Sequence, residues 1–373
     1  MKKKVIIIGP AWPLRGGLAT FDERLATEFI NQGFDTRIYT FSLQYPNFLF
    51  PGTTQYSQEP APTHLSIKVC INALNPLNWI KIGNELRKLK PDYIIVRFWM
   101  PFFGPCLGTI LKMVKWNKFT KNVCIADNVI PHEKRPGDTI FTKYFFKSIH
   151  SFITMSEIVN KDLLKFTNKP STNLVHPIYD TFGDILSKVE ARAHLHLPTE
   201  EKIILFFGFI RKYKGLDLLL EAMNDDRIKK TNIKLLIAGE FYDNKEFYEE
   251  IITKHNLSSS IYLRTQFIND SEVKYYLCAA DFVIQPYKNA TQSGVTPLAY
   301  HFEKPMLVTN VGGLASLVPH LKVGIVTEPN AHAIASGILH LYELGETHFL
   351  KHLCEEKKKF SWDKLTTSIT QNK

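Results

Sequence analysis

The chain has 373 residues, of which 45% are hydrophobic and 22% charged, with a formal net charge of +10 and a sequence pI near 9.1. That length and composition exclude a disordered or collagen-like chain and favour two globular domains, each of under about two hundred residues. The basic balance suits phosphorylated small molecules or an anionic membrane surface; with no zinc-finger, RRM or KH pattern, no nucleic-acid partner is expected.

Met1-Lys2-Lys3-Lys4 is basic, but the apolar run at 5–8 is too short for a secretory signal. No stretch approaches the roughly 20 apolar residues of a membrane span. The five cysteines are scattered, with no Cys-x-x-Cys pair, so reduced thiols and a cytoplasmic location are expected. Along 98–114, Trp99, Phe102, Phe103, Ile110 and Leu111 precede Lys112, Lys115, Trp116 and Lys118. A helix lying on a membrane and a core helix with a basic end both fit that pattern.

In chain order, strand-length apolar runs alternate with helical periodicity. Strands are predicted at 5–8, 36–40, 93–96, 123–126, 152–154 and 174–176, and helices at 18–31, 77–89, 107–116 and 140–149. A polar, helix-poor segment at 179–201 reads as the linker. The pattern then restarts, with strands at 203–207, 235–238, 261–263, 283–285, 307–309 and 324–326. Helices are predicted at 216–223, 247–255, 272–280, 296–302 and 331–342, and 348–371 reads as an amphipathic tail helix. Alternation of this kind predicts an α/β protein of two doubly wound, Rossmann-like domains. In such folds ligands sit at strand carboxyl ends, and with two facing domains in the cleft between them.

Four loops concentrate the chemistry. The first βα turn, Gly9 to Leu18, lacks the Gly-x-Gly-x-x-Gly spacing of a dinucleotide site. It offers Arg15 and the pair Gly16-Gly17, suited to an anion or sugar hydroxyls, or equally to a turn that only needs positive φ. Asp127-Asn128-Val129-Ile130-Pro131-His132-Glu133-Lys134-Arg135 follows a predicted strand. There His132 and Glu133 could orient a substrate or exchange protons, the alternative being a solvated charged loop.

In the second half, Arg211 and Lys214 lie between a strand ending at Phe207-Gly208 and a helix start. A guanidinium fork beside an ammonium suits a diphosphate that no metal neutralises. Finally, Phe282 to Leu314 reads as strand, polar loop, helix and strand, with Gln292-Ser293-Gly294-Val295 at the helix start. Free backbone N–H groups there suit phosphate.

Several blocks in order then resemble retaining glycosyltransferases of the GT-B fold, glycosyltransferase family 4. They are Gly208 with Lys214 to Met223, Ile237-Ala238-Gly239-Glu240, Ala279 to Pro286, Lys304-Pro305 and Val311-Gly312-Gly313. Gly16-Gly17 and 128–133 resemble the family's acceptor side. The resemblance implies an acceptor domain at 1–180 and a nucleotide-sugar domain at 181–345, facing across a cleft. A last helix at 346–373 would return to the first domain.

It further implies that Arg211 and Lys214 hold the diphosphate and act in catalysis with His132. Gly208, Gly239, Phe267, Gln292, Ser293, Gly294 and Val295 would line the donor. Gly16, Gly17, Asn128, His132 and Glu133 would face the acceptor. The implied activity is transfer of a sugar from a nucleotide-diphosphate sugar, the co-substrate, to a glycan or lipid-linked acceptor in cell-surface polysaccharide or glycolipid synthesis. No cofactor or metal is implied, stereochemical retention by front-face attack is, and some members attach to the inner membrane face.

Two departures stand out. Ala290 and Leu298 occupy the places of the family's paired glutamates, and Phe209 that of its usual arginine. A catalytically weak GT-B partner subunit is therefore the second reading, and a sugar-nucleotide epimerase the third.

Overall fold

The structure is a computed structural model that describes residues 2–45, 54–57, 59–131, 135–178, 180–290 and 293–371. It divides into two compact units, Met1–His176 with Ser361–Lys373, and Pro177–Phe360.

The first unit begins with β1 (Lys4–Ile8), α1 (Gly17–Asn31), β2 (Asp35–Leu43), β3 (Ile67–Asn72) and α2 (Pro76–Leu89). It continues through β4 (Tyr93–Phe98), α3 (Gly104–Lys115), β5 (Lys121–Ala126) and α4 (Asp138–Phe146). β6 (Ser151–Thr154), α5 (Glu157–Leu164) and β7 (Ser171–Asn173) follow. Among the described residues these strands form one parallel sheet in the order β3-β2-β1-β4-β5-β6-β7. Helices cover both faces of such a sheet, so β1, Lys-Val-Ile-Ile-Ile, reads as a run rather than an alternation. Asn75 starts α2, its side chain accepting from the N–H groups of Leu77 and Asn78.

The second unit opens with α6 (Lys188–His194), β8 (Ile203–Phe207), α7 (Leu216–Met223), α8 (Asp226–Lys229) and β9 (Lys234–Ala238). Next come α9 (Lys245–Lys254), β10 (Ile261–Arg264), α10 (Val273–Ala279), β11 (Phe282–Gln285) and α11 (Val295–His301). It ends with β12 (Met306–Thr309), α12 (Leu314–Leu317), β13 (Gly324–Thr327), α13 (Ala331–Leu344) and α14 (Glu346–Lys357). Its described strands are also parallel, ordered β10-β9-β8-β11-β12-β13. The terminal α15 (Trp362–Gln371) belongs to the first unit.

Several expectations change. β3 was not foreseen, because its exposed Lys68 and Val69 break the apolar run of a covered strand. The strand expected at 174–176 lies three residues earlier, paired with β6. The polar 179–201 segment carries a helix, α6, started by a capping box between Ser187 and Glu190. The single tail helix is two, α14 in one unit and α15 in the other. Leu107, Ile110 and Leu111 of α3 are fully buried, so its apolar side is core; only its basic end, with Trp116, is exposed.

Candidate functional site

In a doubly wound sheet, loops leave in opposite directions where the strand order reverses, opening a crevice at the carboxyl ends. In the second unit that point lies between β8 and β11. β8 ends at Phe207, and Gly208 turns the chain with φ 94°. Beyond the neighbouring β9, Gly239 has φ 144°, and a Cβ there would lie 2.3 Å from the Gly208 carbonyl oxygen. The two loops then pair: the Ile210 N–H donates to Glu240 O at 2.8 Å and the Tyr242 N–H to Ile210 O at 2.9 Å. Both glycines are required by this close approach.

The next turn carries Lys214. Gly215 follows with φ 70°, so near β11 that a Cβ would meet the Pro286 oxygen at 1.9 Å. Lys214 is thereby folded inward and left 9% exposed. Its Nζ lies 5.8 Å from the centre of the Tyr287 ring. From the point where Gly208 would carry a Cβ, Lys214 Nζ is 3.1 Å away and Val295 Cγ2 3.8 Å. The chain thus brings Gly208, Lys214 and the start of α11 together. Lys214 forms no ion pair among the described residues, and burial, with Arg211 adding to it, lowers its pKa to about 7.

The start of α11 is fixed by Gln285, the last residue of β11. Its Oε1 accepts from Ser293 Oγ at 2.8 Å and from Thr296 Oγ1 at 3.0 Å. Ser293 Oγ in turn accepts from the Val295 N–H at 3.1 Å. The Ser293 hydroxyl therefore serves the loop's own architecture, and Gly294 is the exposed residue before the helix. Gln292 lies outside the described residues.

Arg211 is exposed, and its guanidinium carbon stands 5.1 Å from the centre of the Tyr242 ring. Tyr242 stacks on Phe209 at 4.3 Å, and Phe209 lies 6.2 Å from Phe267, again roughly parallel. Arg211, Phe209, Tyr242 and Phe267 form a partly exposed aromatic group bearing one cation. Tyr242 and Gln285 were missed from sequence. A polar residue closing the apolar run Phe282-Val283-Ile284 was the available signal for Gln285; nothing marked Tyr242 beyond its place after Gly239.

In the first unit the strand order reverses between β1 and β4. Gly16, with φ 102°, is the residue before α1, and Gly17 is exposed. Arg15 is drawn aside, its Nε donating to Thr54 O at 2.7 Å. Asn128 is half-buried just past β5; His132 and Glu133 lie outside the described residues. Sequence reasoning overlooked Asp22 and Arg97, both buried at this crevice beside Asp127.

Comparison with known proteins bears on these loops. Residues 187–359 match the family Glycosyl transferases group 1, which covers the β8–β11 site. An uncharacterised glycosyltransferase of Methanocaldococcus jannaschii is 27% identical over 227 residues, 57% of this chain and 57% of that protein. The chain spans less than two thirds of the length of the curated relatives that head the comparison. Among solved structures, sucrose-phosphate synthase of Thermosynechococcus elongatus superposes with a TM-score of 0.75 at 16% identity, covering 99% of this chain and 98% of that one. HepE of Anabaena, solved with UDP and glucose, gives a TM-score of 0.74 at 13% identity with the same coverage of each chain. These likenesses show the fold, which is GT-B.

Proposed function

Residues 187–359 form a group 1 glycosyltransferase domain in a GT-B chain, and from that premise we propose that the protein transfers a sugar from a nucleotide-diphosphate sugar to a glycan or lipid-linked acceptor. One observation carries the reading: a buried ammonium, Lys214, without a carboxylate partner among the described residues, beside Gly208 and the start of α11.

Cleavage of a sugar–phosphate bond places negative charge on the departing diphosphate. Cations fixed at that position stabilise it. In this reading Lys214 supplies the inner charge and Arg211 the outer one. The backbone at Gly294 and Val295 adds N–H donors, and the phosphates need no resident metal. The aromatic group of Phe209, Tyr242 and Phe267 supplies apolar rings against which a nucleoside can lie. The first unit, with Gly16, Gly17, Asn128, His132 and Glu133, takes the acceptor, and the departing phosphate accepts its proton with retention at the anomeric carbon. A net charge of +10 and unpaired cysteines support work in the cytoplasm at an anionic membrane surface. No helix of the described residues is long and apolar enough to cross a membrane.

A thermal-shift screen against UDP-, GDP-, ADP- and TDP-sugars tests the binding step, because a ligand of the folded state raises its melting temperature. One nucleotide series should stabilise the protein, with EDTA making no difference. Lys214→Ala should abolish that shift and lower turnover about a hundredfold, corresponding to roughly 3 kcal/mol for one charged donor. Normal binding and turnover by Lys214→Ala would remove the phosphate assignment.

A second reading, a donor-binding partner subunit of little activity, is favoured by Ala290 and Leu298. Both are buried apolar residues where the family carries glutamates. Binding of a nucleotide sugar with no hydrolysis or transfer, in the presence of cell lipids and glycans, would select it.

A further inference from the structure

Past the end of the second unit's sheet, the chains leaving β8 and β9 stay paired. The Gly208 N–H donates to Ala238 O at 2.9 Å, the Ile210 N–H to Glu240 O at 2.8 Å and the Tyr242 N–H to Ile210 O at 2.9 Å. Ile210 stands opposite Phe241 in a parallel bridge, and Arg211 is still extended, with φ −136° and ψ 148°. Along such a pairing successive side chains alternate between two faces. Ile210 and Phe241 share one face, where Ile210 is fully buried and Phe241 lies 5.6 Å from the Tyr248 ring of α9. Phe209, Arg211 and Tyr242 share the other. There the Tyr242 ring stacks on Phe209, 4.3 Å between centres and 26° between planes, and the Arg211 guanidinium carbon stands 5.1 Å from the centre of the Tyr242 ring. Arg211 is exposed, and its guanidinium has no hydrogen bond or ion pair among the described residues.

We propose that Tyr242 is a positioning residue: its ring holds the Arg211 guanidinium in place for a diphosphate, so that Tyr242 acts on the donor through that cation. The proposal rests on the reading that Arg211 supplies the outer charge on a nucleotide diphosphate.

Register and entropy carry the argument. Phe209 stands where the family has its arginine, and the cation here is displaced two residues along the same face, onto a side chain at the surface. An unrestrained arginine spreads over many rotamers, and ordering it on binding subtracts from affinity. An aromatic face attracts the guanidinium, and a planar group lying on a ring keeps its outward N–H donors for a ligand. Phe209 steadies the Tyr242 ring in turn, because stacked rings prefer a fixed offset. The same residue also anchors the inner cation: the Lys214 N–H donates to Arg211 O at 2.9 Å. The two side chains lie within each other's field, since Arg211 adds to the lowering of the Lys214 pKa.

The test is a double-mutant cycle read by calorimetric titration with UDP, GDP, ADP and TDP. With the diphosphate that wild type binds most tightly, Tyr242→Leu should weaken binding about fivefold, the factor expected of a partly exposed cation–π contact. On an Arg211→Ala background the same substitution should change affinity by less than about twofold, because the cation through which Tyr242 acts is gone. Tyr242→Phe, which keeps the ring, should recover most of the lost affinity. Equal losses from Tyr242→Leu on both backgrounds would overturn the proposal, since the residue would then act on the nucleotide or on the loop directly. A Tyr242→Phe protein as weak as Tyr242→Leu would overturn it too. Binding of none of the four diphosphates by wild type is a different failure: it would remove the diphosphate reading, and this proposal with it.

Discussion

Lys214 shows what burying one ammonium does to its titration. Its pKa, about 7 when folded against 10.5 ordinarily, means the folded state binds fewer protons between those values. Stability therefore rises with pH across that window, because the cost of burying the ammonium disappears. Lys214→Met should raise the melting temperature of the ligand-free protein at pH 6, and the gain should fade by pH 10. The opposite sign would govern the proposed binding, since a diphosphate beside Lys214 favours its charged form. Nucleotide affinity should be greatest below pH 7 and weaken with rising pH by up to about tenfold per unit. Calorimetric titration in buffers of different ionisation enthalpy would register the proton taken up on binding at pH 8. Affinity flat from pH 6 to 9 would exclude Lys214 from the phosphates.

At the scale of elements, β11 and α11 are joined by side chains rather than by the sheet ladder. Gln285 Oε1 is the shared acceptor of two buried hydroxyls, Ser293 and Thr296. Gln285→Leu would leave both without it, at about 2 kcal/mol, the usual cost of stranding a buried donor. A urea melt should show that loss, with donor affinity falling as the start of α11 loosens. If stability drops while affinity stays, the helix start does not contribute to donor binding. The loop after β12 lies equally close, since a Cβ on Gly312 would sit 1.5 Å from the Ala290 oxygen. Ala290 is thus boxed in by backbone, at a position where sequence comparison expected a glutamate.

For the whole molecule, the chain leaves the first unit at His176 and re-enters it at Ser361. The returning α15 settles on α1: Trp362 meets Phe21 at 4.9 Å, Arg24 lies 5.0 Å from the Trp362 ring, and Gln32 Nε2 donates to Thr366 Oγ1 at 2.7 Å. The first unit's core therefore depends on residues far along the chain, beyond the whole second unit. Trp362→Ala should cost that unit about 3 kcal/mol, as expected for a buried aromatic. Exchange of β1 amides should accelerate while those of β8 are unchanged. Equal acceleration in both would mean that the units unfold as one.

Periodicity alone was enough for the two parallel sheets. Runs such as 203–207 and 283–285 are continuously apolar because helices cover both faces, and that signature survives without any partner in view. Short strands with exposed positions, such as β3, carry no such mark. The glycine and lysine spacing from 208 to 215 was equally legible, being local: a strand end, a turn and a helix start lie within one loop. The partners of Asp22 were not. Residues 22, 97 and 127 are far apart along the chain; only the packing of α1 on a sheet that sets β4 beside β5 places them together and denies them water. Burial is a property of packing that no stretch of residues can state in advance.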